Sequence, residues 1–446
     1  MRDKSMLLTK GPIMKSLIIF SLPILFGNLF QQMYNAVDSL VVGNFVNSAA
    51  LAAVTSTNNV IFLTVGFLQG VFIGAGVAVA RYFGAENDKM LRVSIHTTIV
   101  FALCAGIFLS IVGVALSPWL LRILNTPPEV LPLSTAYFRI YYAGLLAPVL
   151  YNCATGILQA VGDSRHPLIY LIISSCLNIV LDLIFVIYFG WGVPGVAYAT
   201  VISQAFSAIL AFTHLMRSRA NYRVSISYLK CDFSMLKRIL RLGIPSGLQN
   251  SIVAFSNLVS QSHLNTFGAY AVAGSGTFQR VEGFAFISIT SVALATTTYV
   301  SQNVGAHQFV RAHKAAKYSM LTNAIVGEGL SLCVLFFAPW LIGMFNGESE
   351  VIRYGVMHAR VAGPWYFLPA ITHTLAGVLR GMGRPLTPMA VLLVCWCVVR
   401  VSYLTIVLNI WHEIRLLYAV YPMTWFLSAT VLLICYSRIK WDNPDK

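Results

Sequence analysis

Gly156-Ile157-Leu158-Gln159-Ala160-Val161-Gly162, followed by Pro167, returns half a chain later as Gly377-Val378-Leu379-Arg380-Gly381-Met382-Gly383, followed by Pro388. On one side of this run, Ser117-Pro118-Trp119-Leu120 with Asn125, Glu129 and Val130 returns as Ala338-Pro339-Trp340-Leu341 with Asn346, Glu350 and Val351. Between the two runs, Arg139 matches Arg360 and Pro148 matches Pro369. Self-similarity at half the chain length predicts two like bundles. The copies agree at the prolines, glycines and tryptophans that shape a backbone, and they part at acids. Asp38 falls opposite Ser260, after a slip of one residue, and Asp182 falls opposite Tyr403. The halves are therefore expected to be alike in build and unlike in chemistry.

Hydrophobic residues make up 57% of the chain and charged residues 10%, against roughly 25% charged in a soluble domain. Apolar stretches long enough to cross ~30 Å of hydrocarbon run from 17–43 to 414–436. They number twelve, six per half, and include 239–264 and 355–380. An even number per half makes the halves parallel repeats. Lipid offers the backbone no hydrogen-bond partner, so the spans must be helices, and no alternating barrel pattern competes. The fold class is all-α integral membrane: twelve transmembrane helices in two pseudo-symmetric six-helix lobes, residues 1–216 and 239–446, joined by a basic linker at 217–238.

Of the 30 Lys and Arg residues, 23 lie in the N-terminus, the even-numbered loops and the C-terminus, and only Arg122, Arg353 and Arg415 lie in odd-numbered loops. That bias predicts a multi-pass protein of the cytoplasmic membrane with both termini cytoplasmic. The basic run at 217–241 then faces anionic headgroups, making lipid rather than nucleic acid its partner. The opening residues lead into a full span without a small-residue cleavage site and are read as retained. Cys395-Trp396-Cys397 has neither the spacing nor the His neighbours of a metal site. No phosphate-binding loop and no nucleophile–base constellation is present, so no cofactor and no enzyme activity are expected. No obligatory protein partner is evident, and a monomer is expected.

Along the first span, Asn28, Gln31/Gln32, Asn35 and Asp38/Ser39 recur at three- and four-residue steps, one face of a helix. In the fifth span, Ser174/Ser175, Asn178 and Asp182 make a second face. An ionised Asp at the bilayer centre is unfavourable by roughly 2.5–3.5 kcal/mol, so these residues carry a function. The pair Asp38 and Asp182 is read as a site that alternately holds and releases a cation, with Gln32, Asn35 and Ser175 as supporting polar groups. Burial favours the protonated carboxyl, which suits H+, while carboxylates with amide and hydroxyl oxygens equally suit Na+. Residue type does not choose between them. The seventh span repeats the stripe with Asn257, Ser260 and Gln261 but no acid, so it lines without titrating. These three and Tyr34 are candidate substrate-cavity residues, and Tyr34, Tyr137 and Tyr141 offer faces for cation–π contact. Pro23, with Pro245 at the matching place, is a hinge candidate. Gly66, Gly70 and Gly74 are read as helix packing.

The run Leu22-Pro23 through Asn35-Ala36-Val37-Asp38, with Gly43, residues 49–53 and Ala80-Arg81-Tyr82-Phe83-Gly84-Ala85, resembles the multidrug and toxic compound extrusion (MATE) family. Gly243-Ile244-Pro245 with Ser301-Gln302-Asn303-Val304-Gly305-Ala306 echoes it, and Gly156–Gly162, residues 178–182 and Gly192-Val193-Pro194-Gly195-Val196-Ala197 fit as well. The resemblance covers nearly the whole chain. It implies a V-shaped pair of lobes around a cavity that opens alternately to each side, expelling cationic, amphipathic small molecules in exchange for H+ or Na+. The branch resembling DinF places coupling residues where Asp38, Asn178, Asp182 and Thr200 stand here. Relatives of the NorM type carry acids in spans seven and ten, where this chain has none, with Val253 near the expected position. A lipid-linked oligosaccharide flippase of the same superfamily is the competing expectation. It should line its cavity with several cations, whereas Asp38 and Asp182 add negative charge.

Overall fold

The computed structural model describes residues 7–46, 48–123 and 126–441. Asn125 of the repeated run lies outside them, as do the side chains of Ser39 and of residues 49–52. No strand occurs among the described residues. The first half contains α1 (Ile13–Phe45), α2 (Ser48–Gly84), α3 (Asp88–Ile123), α4 (Leu131–Ala143), α5 (Leu146–Ala160), α6 (Arg165–Asp182) and α7 (Gly192–Arg217). The second contains α8 (Phe233–Asn265), α9 (Ala269–Gly305), α10 (Phe309–Phe336), α11 (Ala338–Gly343), α12 (Ser349–Ala362), α13 (Phe367–Gly381), α14 (Leu386–Leu392), α15 (Arg400–Ile410) and α16 (Ile414–Ser437). A π-helical stretch, Leu183–Tyr188, continues α6, and another, Leu393–Val399, joins α14 to α15.

Among the described residues nine helical stretches are long and apolar enough to cross a membrane, and α4 with α5, bent by 48°, makes a tenth. The two other expected spans are helical as well. Residues 239–264 lie in α8, whose polar stripe lowers its hydropathy, and 355–380 lie in α12, a 3₁₀ turn at Gly363–Trp365 and α13. A proline stands at each of the breaks α4–α5 and α12–α13, and in the second Pro364 also lies in the 3₁₀ turn itself. Pro148 has no N–H to donate to the Gly144 carbonyl, which takes the amide of Ala147 instead at 3.0 Å, and the chain bends there. Pro369, its match, stands just after the 3₁₀ turn.

The opening motif is a helix stop. Gly162 adopts φ +84° and Gly383 φ +83°. Asp163 then donates to the Leu158 carbonyl and Arg384 to the Leu379 carbonyl, each at 2.9 Å, the six-residue closure of a Schellman turn. The same backbone recurs where α2 and α9 end, at Glu86 (φ +51°) and His307 (φ +57°).

The chain forms two compact units. Phe26–Gly247 makes the body of the first, and Leu8–Leu25 joins Leu248 and the residues after it in the second. The division falls within α1 and α8, two residues after Pro23 and two after Pro245, and not in the basic segment 217–238. In the second unit, the Leu8 amide donates to Gln302 Oε1 at 2.9 Å, and Arg311 donates to the carbonyls of Leu8 (3.2 Å) and Lys10 (3.0 Å). Those bonds give the Gln302–Asn303 motif a structural job. In the first unit Gly70 and Gly74 meet Gly247 and Gly243, where a Cβ on Gly70 would stand 2.5 Å from the Gly247 Cα. Packing explains these two glycines. A Cβ on Gly66 would meet nothing within 4 Å, so packing does not explain the third.

Candidate functional site

The site is built in the first unit from α1, α6 and α7. The four-residue period of α6 carries Ser174, Asn178 and Asp182 down one buried face, and Asn178 and Asp182 have no exposed surface. Asn178 is oriented with Nδ2 toward the carboxylates, which gives it acceptors where the reverse would set oxygen against oxygen. It then donates to Asp38 Oδ1 at 2.9 Å and to Asp182 Oδ2 at 3.2 Å. One amide nitrogen, with two hydrogens, thus bridges acids from two helices.

Three further groups close around the bridge. Tyr34, one turn before Asp38 on α1, is buried beside Asp38 and Thr200. Thr200, on α7, spends its hydroxyl hydrogen on the Val196 carbonyl at 2.9 Å, leaving oxygen lone pairs. Tyr137 from α4 is buried near both aspartates and stacks on Tyr141, with ring centroids 6.4 Å apart. Asp182 Oδ1 is buried without a hydrogen-bond partner. Two carboxylates sharing a single amide nitrogen in a low-dielectric pocket cannot both be satisfied as anions. A proton or a small hard cation on Asp182 would complete the set.

The structure thus brings together Asp38, Asn178, Asp182, Thr200 and Tyr34. Ser175 is buried nearby on α6, its hydroxyl without a partner. Gln32 and Asn35 are exposed, and Asn35 accepts the Gln31 amide at 3.5 Å. They share a helix face with Asp38 without sharing its burial. Sequence periodicity did not show that α6 gives way to a π turn immediately after Asp182, an irregularity frequent at functional sites.

In the second unit, Ser260 stands where Asp38 does and donates to the Ser256 carbonyl at 3.1 Å. The charge here is Arg400, which is 1% exposed. Its guanidinium lies 5.0 Å over the Trp396 ring and 4.9 Å over the Tyr421 ring, and donates to Thr424 Oγ1 at 2.9 Å and Asn257 Oδ1 at 3.5 Å. Gln261, half-buried, donates to the exposed Asn265 at 2.9 Å. Glu282 accepts the Tyr366 hydroxyl, and Glu328 accepts the first amide of α13, from Phe367, at 2.9 Å. Among the described residues neither acid forms an ion pair.

Comparison with known proteins agrees with this duplicated frame. The probable multidrug resistance protein YoeA of Bacillus subtilis (strain 168) is 27% identical over 448 residues, spanning 98% of this chain and 96% of its own. A solved outward-facing structure of a multidrug resistance MATE family transporter of the MOP superfamily superposes with TM-score 0.92 at 23% identity, covering 99% of both chains. A MOP superfamily transporter from Pyrococcus furiosus, described as having a binding pocket of reverse polarity, superposes with TM-score 0.91 at 22% identity, again over 99% of both. The MatE family model matches twice, over residues 23–184 and 245–406, the second match displaced by the same interval that separates Asp38 from Ser260. Those two matches cover most of the chain, and it belongs to the MATE family.

Proposed function

We propose that this protein is a multidrug exporter of the cytoplasmic membrane, with both termini cytoplasmic, that expels cationic and amphipathic small molecules in exchange for H+ or Na+. Its similarity to the probable multidrug resistance protein YoeA, and to the multidrug export protein MepA of Staphylococcus aureus, supports the export reading. The observation that carries the coupling reading is Asp182 Oδ1, buried without a partner beside Asp38 and bridged to it by Asn178. Loading an ion there relieves the repulsion of the carboxylates and favours one arrangement of α1 against α6. Unloading favours another. If substrate favours the unloaded arrangement, ion and drug must weaken each other's binding equally, by linkage. Inward movement of one charge supplies about 2.3 kcal/mol per 100 mV, enough to drive accumulation against a gradient.

The test is drug flux in proteoliposomes with H+ and Na+ gradients imposed separately. The wild-type chain should respond to one of the two gradients, which identifies the ion, and Asp38→Asn should respond to neither. Gradient-driven flux that survives Asp38→Asn unchanged would overturn the coupling assignment.

A further inference from the structure

Asp163, His166 and His214 form a second cluster in the first unit, apart from the aspartate pair. The Gly162 turn that stops α5 delivers Asp163 to the start of α6, where its Oδ1 accepts the amides of Arg165 at 3.2 Å and His166 at 3.1 Å. Those bonds fix the carboxylate and leave Oδ2 facing two imidazoles. His166 Nδ1 lies 2.5 Å from it, and His214 Nε2, from the last turn of α7, lies 3.9 Å from it. The imidazole centroids are 4.2 Å apart, and Tyr170 flanks both rings, at 6.0 and 6.2 Å. One ligand atom from each of the three residues lies within 4.8 Å of the other two. Asp163 is 4% exposed, and the histidines 17% and 16%.

We propose that Asp163, His166 and His214 bind a divalent cation of the zinc class, tying the start of α6 to the end of α7. Helix capping accounts for Asp163 Oδ1, but it does not account for two imidazoles gathered on Oδ2. Two nitrogens and one carboxylate oxygen suit zinc and its transition-metal neighbours, whereas magnesium and calcium call for more oxygens. Metal–ligand distances of about 2.0–2.2 Å place tetrahedral neighbours about 3.3 Å apart. The 3.9 Å gap must then close by more than half an ångström, the 2.5 Å contact must open, and the two histidine nitrogens, which lie within 4.8 Å of each other, must converge as well, so the site forms by turning both imidazoles onto the ion. A metal on His166 Nδ1 takes the place of any hydrogen that Nδ1 shares with Asp163, which moves to Nε2 in a neutral ring or is released from a protonated one. The two backbone amides on Oδ1 supply the outer-shell support that a ligating carboxylate needs, and a water takes the fourth position. Since α6 carries Asn178 and Asp182 and α7 carries Thr200, such an ion would stiffen the helix pair behind the proposed coupling site.

The test uses the full chain without a polyhistidine tag, stripped by chelator in detergent and titrated with Zn2+ against a chromophoric competitor. Co2+ serves in parallel as a spectroscopic probe. The wild-type chain should bind one Zn2+, show the visible absorption of four-coordinate Co2+ and gain melting temperature with Zn2+. His214→Gln, which keeps the Asp163 cap, should weaken Zn2+ binding at least tenfold, toward the roughly 10–100-fold typical of disturbed sites. It should also lose the Co2+ bands and the thermal gain while melting like wild type in chelator. His166→Gln should behave the same way, and His307→Gln, at an exposed position, should change nothing. Zn2+ binding by His214→Gln as tight as by wild type, or no Zn2+ binding by wild type, would overturn the site.

Discussion

In the first half, α6 passes into a π-helical stretch directly after Asp182. In the second, a π-helical stretch passes directly into Arg400. Arg400 stands as far beyond Asn178 as the second family match stands beyond the first. One frame therefore carries a pair of acids bridged by an amide in one copy and a guanidinium in the other. The difference lies in what each group lacks. Asp182 has a buried oxygen without a partner, and its charge can be removed by a proton. Arg400 leaves only Nε without a partner, is sandwiched by two aromatic faces and holds two hydroxyl or amide acceptors. It stays protonated at any physiological pH. The first site is built to change state and the second to keep one.

That contrast breaks most sharply at Asp182. Asp182→Asn removes the titrating group but preserves shape, so gradient-driven export should fall to background in proteoliposomes. Arg400→Ala should leave the ratio of ion to drug unchanged in the molecules that fold. A loss of ion dependence in Arg400→Ala with coupling intact in Asp182→Asn would reverse the assignment of roles. The second-largest effect should be on stability. Arg400→Ala opens a cavity between Trp396 and Tyr421 and removes the donors on Thr424 Oγ1 and Asn257 Oδ1, and the cavity chiefly should destabilise the second unit by roughly 2–4 kcal/mol. A thermal melt in detergent checks this, and Arg400→Lys should recover part of the loss through its charge but not its fork geometry.

The common build was legible in sequence because prolines and glycines act locally. Pro148 and Pro369 have no amide to donate wherever they stand, and Gly162 and Gly383 accept the left-handed turn that stops a helix. The aspartate pair was legible because an acid in an apolar span has few tolerable fates. What could not be read depends on contacts between distant residues or on burial. Gln32 and Asn35 share the helical face of Asp38, yet periodicity gives a direction and not the depth of what packs there. The division of α1 and α8 between the two compact units follows from tertiary contacts that hydropathy does not record. Asp163 and His166 show only a three-residue spacing, and nothing local announces that His214, at the far end of the next helix, returns to them.

The likeness of the halves can be sharpened where they differ in degree. A Cβ on Gly156 would stand 3.2 Å from the Phe72 carbonyl oxygen, whereas one on Gly377 would stand 2.5 Å from that of Ala293 and 3.0 Å from Thr297 Oγ1. The matched helix contact is therefore tighter in the second half. Gly377→Ala should force the α9–α13 pair apart and destabilise by about 1–3 kcal/mol, the usual range for overpacking. Gly156→Ala needs a shift of only a few tenths of an ångström and should fall below ~1 kcal/mol. Melting temperatures of the two variants measured side by side decide it, and equal losses would mean that the contacts are equally close.

The smallest expected effect tests identity rather than difference. Glu86 and His307 hold the same left-handed turn after α2 and α9, closed by the same pattern of bonds: Asn87 donates to the Tyr82 carbonyl at 3.1 Å and Gln308 to the Asn303 carbonyl at 2.8 Å. A residue with a Cβ is disfavoured in that region by roughly 1–2 kcal/mol, and glycine is not, though its freer unfolded chain returns part of the gain. Glu86→Gly and His307→Gly should therefore each stabilise by about 0.5–1 kcal/mol, visible as a small rise in melting temperature and no change in transport. Because the backbone is the same, the two gains should agree within the error of the melts. If only one variant is stabilised, its partner's side chain holds the turn by a contact of its own, and the two halves differ in build at that corner as well as in charge.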